Sequence, residues 1–349
     1  MTTPDWGRHQ RTLGSLLEAI GCTPLVRLRR VVDGAAVELY GKVEWFSPTG
    51  SLKDRAYLRM IEEAEARGEL TPGMTILECS TGNAGTACAF VAVLKGYPCI
   101  IVMPEGMSVE RQKLIRAYGA ELVLTAGGES DVDLALLRLE AIRRADPGRY
   151  WVPAQFDNPA NIRAHYATTG PEIWEQMEGR IDAFVASQGT GGTITGVGRY
   201  LRERNPAVAL FAVEPAECPF LSRRQWGSHG IEGIGDGLVP RNLDLGLLTG
   251  IITTTTEESV AMAKRLAREE GIFCGISSGC NVAAALKLTR RHPALRRVVV
   301  MINDTGQRYF TTPLCDVPKQ WEAPEREHPM DAHSQAELDT YQPRWEIIA

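Results

Sequence analysis

A lysine stands at the start of a helical pattern in "SPTGSLKD", residues 47–54. Helix starts favour acidic side chains, because the macrodipole is positive there. Ser51 to Asp54 fits the Ser-x-x-acid capping pattern, which predicts a helix beginning at Ser51 with Lys53 in its first turn. The dipole and partial burial both favour a neutral amine. Such an amine is a nucleophile toward aldehydes and forms Schiff bases. A solvated lysine at a helix end fits this loop equally well, so the other loops decide.

Three more loops carry groups of a matching kind. "STGNAGT" (80–86) follows the apolar run "MTILEC" and places Ser80, Thr81 and Asn83 around a helix N-terminus, suited to a carboxylate or phosphate, or to an ordinary capped turn. "SQGTGGTITG" (187–196) combines Gly189, Gly191 and Gly192 with Thr190 and Thr193, a phosphate cradle in type. A dinucleotide fingerprint starting at Gly189 fails because its sixth position is Ile194, and no Walker A lysine pattern is present. "GISSGC" (275–280) opens another helix and offers a serine hydroxyl to a neutral ring nitrogen, or a plain N-cap. One phosphate, one aldehyde and one ring nitrogen would use all four loops together. Pyridoxal phosphate is that molecule.

The elements that must position these loops alternate. Apolar runs "VELYGKVEW", "MTILECS", "CIIVMP", "ELVLT", "IDAFVAS", "ALFAVEP" and "RVVVMIND" read as strands. Helical spacing appears in "RAYLRMIEEAEARGEL", "GTACAFVAVLKG", "SVERQKLIRAYG" and "TEESVAMAKRLAREEG". This predicts an α/β protein with largely parallel sheet, whose ligands bind beyond the carboxyl ends of the strands. After Asp316 the composition turns to proline and charge, which predicts a surface extension or lid.

The 349 residues suffice for two domains. A net charge of −5 gives no broad attraction for nucleic acid or an anionic membrane. The eight cysteines show no CxxC pair or metal-ligand spacing, so no metal site is expected and they read as small buried hydrophobes. The N-terminus lacks the apolar core of a signal peptide and no apolar run reaches bilayer length, so a cytoplasmic protein is expected.

"IGCTPLVRL", "SPTGSLKDR", "STGNAG", "PEGMSVERQKLIRAYGAELVLT", "QFDNPANIRAHYATTGPEIWEQ", "GTGGTITGV", "GIGDGLVP" and "EGIFCGISSG" together resemble the cysteine synthase and cystathionine β-synthase family, in matching order over roughly residues 13–315. The resemblance implies fold type II of the pyridoxal phosphate enzymes: two open twisted sheet domains with flanking helices, like the tryptophan synthase β-subunit. It implies a larger cofactor-binding domain (1–43 with 156–317), a smaller mobile domain (44–155), a tail (318–349) and a homodimer. It makes Lys53 the Schiff-base lysine, Asn83 the partner of the cofactor's 3′-oxygen, Gly189, Thr190, Gly191, Gly192 and Thr193 the phosphate cradle, and Ser277 the partner of the pyridine nitrogen. Ser80, Thr81, Asn83 and Gln155 would hold the substrate carboxylate, with Gly235 beside the mouth of the site.

The reaction implied is β-replacement on an activated L-serine, O-acetylserine or O-phosphoserine, through an α-aminoacrylate that takes up sulfide or another thiol to give L-cysteine or a relative. Lys53 would act as general base at Cα. Two positions depart from the synthase pattern. Ala84 lacks the hydroxyl usual in the substrate loop and leans toward serine and threonine dehydratases, which release a 2-oxo acid and ammonia. Asp304 stands where synthases often carry serine, near the expected ring nitrogen. Arg223 and Arg224 are either contacts for a phosphorylated substrate or solvated surface charge. A non-catalytic binding protein on the same scaffold would predict broken cofactor loops, whereas all are intact.

Overall fold

The computed structural model describes residues 3–34, 36–128, 132–318 and 328–349. Its strands are β1 (Leu25–Leu28), β2 (Glu38–Val43), β3 (Thr75–Cys79), β4 (Cys99–Pro104), β5 (Glu121–Thr125), β6 (Tyr150–Trp151), β7 (Ala183–Ser187), β8 (Ala209–Pro215), β9 (Gly250–Thr254), β10 (Arg297–Ile302) and β11 (Glu346–Ile348). The α-helices are α1 (Lys53–Ala66), α2 (Asn83–Lys95), α3 (Val109–Ala117), α4 (Val132–Ala145), α5 (Ala160–Ala164), α6 (Gly170–Gln176), α7 (Gly192–Arg204), α8 (Phe220–Arg223), α9 (Thr256–Arg265), α10 (Ile276–Arg291) and α11 (Ala332–Tyr341).

Two sheets result. The larger runs β1-β2-β10-β7-β8-β9-β11, parallel except for the β1–β2 pair; the smaller runs β5-β4-β3-β6, all parallel. Parallel strands covered by helices on both faces should be apolar throughout, and β10 shows why. Val298, Val300 and Ile302 pack into a core with α9 and α10, while Val299 and Met301 enter a second core on the other face with α6 and α7. The smaller sheet does the same: Ile76 and Ile101 meet α1 and α2, and Leu77 and Val102 meet α4.

The seven strands read from apolar runs are all present. β1, β6, β9 and β11 are not among those runs: β6 has two residues, β11 three, and β9 is threonine-rich. Helix α1 departs in its cap. It begins at Lys53, and Ser51 instead forms an isolated bridge with Asp304 while its Oγ accepts a long 3.4 Å bond from the Lys53 N–H. The Asp54 carboxylate accepts from Thr49, through the backbone N–H at 2.8 Å and the hydroxyl, so no capping box forms.

The C-terminal segment corrects the expectation of a surface extension or lid. Residues 319–327 lie outside the described residues, but α11 and β11 are part of the larger unit. β11 adds to the sheet edge beside β9, Leu338 is fully buried, and Trp345 packs into the core while its Nε1 donates to the Leu245 carbonyl at 3.3 Å. Arg224 ties this segment down through Asp339 and Gln342, which gives that arginine a structural occupation away from any substrate.

Candidate active site

The carboxyl ends of β3, β7 and β10 and the N-termini of α1, α2, α7 and α10 converge on one cleft enclosing about 920 Å³ of space open to solvent. Loops at this end are where open α/β sheets place ligands. Lys53, Ser80, Thr81, Asn83, Gln155, Gly189, Thr190, Gly191, Thr193 and Ser277 all line it. Gly192 and Gly235 do not. Gly192 lies beneath the cradle, where a Cβ would overlap the Asn161 amide, and Gly235 turns behind the wall with its N–H on the Gln188 carbonyl at 3.1 Å. Neither Arg223 nor Arg224 is in the lining.

Lys53 is half-buried at the cleft wall, and desolvation there lowers its amine to about 8 against the opposing carboxylates of Asp236 and Glu78. Desolvation therefore outweighs the two carboxylates. Burial also raises Asp236 to about 6 and Glu78 to about 7. Glu78 is held by the Tyr57 hydroxyl at 2.9 Å and the Cys79 N–H at 2.8 Å, whereas Asp236 lines the cleft itself.

A test follows from the sign of that pairing. A carboxylate beside an ammonium favours the charged form, so Asp236→Asn releases the neutral amine at lower pH. The rate at which cofactor-free protein takes up pyridoxal phosphate, read from its visible band, should rise through a midpoint near 8 in the parent and lower in the variant. An unchanged or raised midpoint would place Asp236 out of reach of the amine.

The glycine loop fits an anion by construction. Gly191 is the N-cap of α7 at φ +79°, a left-handed conformation that favours glycine, and an added Cβ would meet Leu243 at 2.6 Å. The first turn of α7 holds no acidic residue and no side chain caps it, so its N–H groups are available to an anion. Thr190 Oγ1 accepts from Asn161 Nδ2 at 3.0 Å, and Thr193 Oγ1 meets His165 Nε2 at 3.2 Å. His165 sits on a π-helical turn, His165–Thr169, and is pushed down to about 3 by burial and by the Arg55 and Lys53 charges, so it stays neutral and carries one ring proton.

At the far end, Ser277 Oγ accepts from Asn303 Nδ2 at 3.0 Å, which leaves its own proton to donate to an unprotonated ring nitrogen. Asp304 is not in the lining: its Oδ2 accepts from Asn83 Nδ2 at 2.7 Å and from the Tyr309 hydroxyl at 2.8 Å. Of the two candidates for the ring nitrogen, the one facing the cleft is the serine. Ser80 Oγ accepts from the Gly82 and Gly85 N–H groups at 3.0 and 2.7 Å, so it braces the α2 start and has only its proton to offer a substrate.

Sequence reasoning missed the charges that close this cleft. Arg111 on α3 pairs with Glu232, from the loop before β9, and lies 4.6 Å over the Tyr309 ring. Both members line the cleft, one from each side. Arg111 sits inside a motif quoted above and Glu232 immediately precedes another, but nothing in a linear pattern announces either partner.

A half-buried lysine of lowered basicity, a glycine cradle at a helix start and a proton-donating serine in one cleft fit pyridoxal phosphate, and together with the two-sheet α/β architecture they define a fold type II enzyme. The chain belongs to the pyridoxal-phosphate dependent enzyme family, whose model matches residues 16–304. It is 43% identical over 306 residues to a cysteine synthase of Staphylococcus aureus, covering 87% of this chain and 98% of that protein. Among solved structures, a cysteine synthase from Entamoeba histolytica matches with TM-score 0.84 at 34% identity over 98% of both chains. An O-ureido-L-serine synthase matches with TM-score 0.82 at 42% identity, covering 88% of this chain and 96% of that one.

Proposed function

We propose that this enzyme carries out β-replacement on an activated L-serine, adding sulfide or another thiol to form L-cysteine or a close relative. The observation that carries the reading is the arrangement of Lys53, the 189–193 cradle and Ser277 around one cleft, in a chain similar to cysteine synthases. The anion-ready N-terminus of α7 would hold the phosphate, Asn83 the 3′-oxygen and Ser277 the ring nitrogen. When bound, pyridoxal phosphate supplies an electron sink for negative charge at the substrate's α-carbon.

The protein's own groups do the rest. Thr81, Asn83, Gln155 and the N-terminus of α2 orient the substrate carboxylate. The Lys53 amine, neutral in substantial fraction near pH 8, takes the α-proton on Nζ and later returns it. Ser277 keeps its proton on Oγ, so it cannot charge the ring nitrogen as an acid would, which favours loss of the β-substituent over transamination. Residues 44–155 form the smaller unit that closes on substrate, supported by the Arg111–Glu232 pair reaching across the mouth.

A homodimer fits the exposed apolar side chains Phe46 and Leu137, at 60% and 67% exposure, which pairing would cover. A cytoplasmic setting fits eight unpaired cysteines. No helix among the described residues is long and apolar enough to cross a membrane.

The test mixes purified holoenzyme with O-acetylserine, O-phosphoserine, serine or threonine, then sulfide. One activated serine should give a lasting change in the visible spectrum that sulfide reverses with formation of cysteine. Release of a 2-oxo acid from serine or threonine without need of sulfide would overturn the reading in favour of a dehydratase, with Ala84, bare of a hydroxyl in the cleft wall, as its structural basis.

A further inference from the structure

Asp304 is completely enclosed, yet only one of its carboxylate oxygens is hydrogen-bonded. Oδ2 accepts from Asn83 and Tyr309 as above; Oδ1 has no hydrogen-bond partner and occupies the space where a Cβ on Gly275 would sit. Only glycine at 275 admits the carboxylate in this place. The backbone of Asp304 is fixed as well, bridged to Ser51 two residues before Lys53.

Asn83 is gripped from both ends. Arg308 Nη1 donates to its Oδ1, and Arg308 Nη2 donates to the Thr49 carbonyl. A guanidinium can only donate and an ionised carboxylate can only accept, so of the two amide orientations one alone satisfies both neighbours. That orientation leaves one Nδ2 hydrogen uncommitted on a side chain that lines the cleft.

We propose that Asp304 is a positioning residue that fixes the Asn83 amide as a hydrogen-bond donor to the cofactor's ring oxygen, and so favours the ionised form of that oxygen. The inference rests on the reading of Asn83 as the contact to the 3′-oxygen. It assigns the acid in the loop after β10 a part that the usual serine is too short to play by the same route. The charged and titratable groups around the carboxylate are Arg308, Tyr309 and Cys274, with Arg111 over the Tyr309 ring.

Charge and positioning act in opposite directions, which makes them separable. A nearby carboxylate repels an ionised ring oxygen, whereas a donor held in place by that carboxylate stabilises it. Asp304→Asn and Asp304→Leu remove the charge equally, but only the asparagine keeps an oxygen that can accept from Asn83. The measurement is the pH midpoint of ring-oxygen ionisation in each holoenzyme, from its near-ultraviolet and visible absorption. Asp304→Leu should show a midpoint roughly 1 pH unit above Asp304→Asn, the size of one hydrogen bond to a charged group. Equal midpoints, or a lower one in the leucine variant, would overturn the proposal. Asp304→Ser serves in place of leucine if that variant does not fold. Asn83→Ala separates the two layers. It should raise the midpoint above the parent, and if it does not, the assignment of Asn83 to the ring oxygen falls and the inference with it. A shift on Asn83→Ala with equal Asp304 variants would overturn the positioning role alone.

Discussion

Lys53→Ala should abolish the covalently attached cofactor's visible band and lower turnover by at least about 10³-fold, within the range expected for removing a proton-transfer group that is also the nucleophile. No other side chain in the cleft can stand in. Lys53 is the only lysine among the described residues lining it, and Arg111, already paired with Glu232, does not give up its proton at accessible pH. Asp236 and Glu78 lack nitrogen nucleophilicity. Lys53→Arg keeps a cation at the α1 start but should be as inactive as alanine, because the requirement is for a neutral amine. A small primary amine added to the alanine variant should restore part of the α-proton transfer, since the cavity left by the side chain opens into the cleft. Absorbance and product assays on the same preparations check this. Retained turnover in the alanine variant would remove Lys53 from the mechanism.

The position of this lysine was legible in the sequence because its loop is contiguous, as are "STGNAGT", "SQGTGGTITG" and "GISSGC". Each is a strand end feeding a helix start, and short-range geometry alone brings its groups to one side of the sheet. What stayed hidden depends on pairs distant along the chain. Ser51 looks like a cap, but its backbone is taken by Asp304 and the Asp54 carboxylate by Thr49. Asp304 looks like a rival for the ring nitrogen, yet Asn83 and Tyr309 draw it out of the cleft wall. The polar tail conceals a three-residue strand whose stability comes from an open edge at β9 and from Trp345 in the core, neither visible as periodicity. Buried charge is equally silent, since nothing in the local pattern marks Lys42, Glu44 and Arg55 as interior residues.

Those charges set the second large effect. Behind α1, Arg55 donates to Glu44 at 2.7 Å and to Glu172 at 2.6 Å, and Lys42 lies 2.7 Å from Glu172, with all four side chains at most 3% exposed. Burial pushes the Glu172 carboxyl up, but the Arg55 and Lys42 charges overrule it and hold it below the usual range. The backbone joins in: Cys22 and Thr23 donate their N–H groups to Glu172 at 2.9 and 3.3 Å, and the Thr23 hydroxyl donates to Glu44 at 2.6 Å. Two cations and two anions balance, so the cluster is tolerable in the interior only while complete. Arg55→Met should destabilise the protein by roughly 3–5 kcal/mol, because two buried carboxylates then share one lysine. Urea unfolding measures it. The loss should shrink from pH 8 to pH 5, since the uncompensated carboxylate can take up a proton in the folded state and thereby lose its charge. Adding Glu44→Gln to Arg55→Met restores neutrality and should recover at least half the stability; a double variant as unstable as the single would show that lost packing around Arg55, not unbalanced charge, is the cause. Arg55 lies two residues after Lys53 on the same helix, so the single variant should also hold the cofactor less firmly, joining the core's charge balance to the position of the reactive amine.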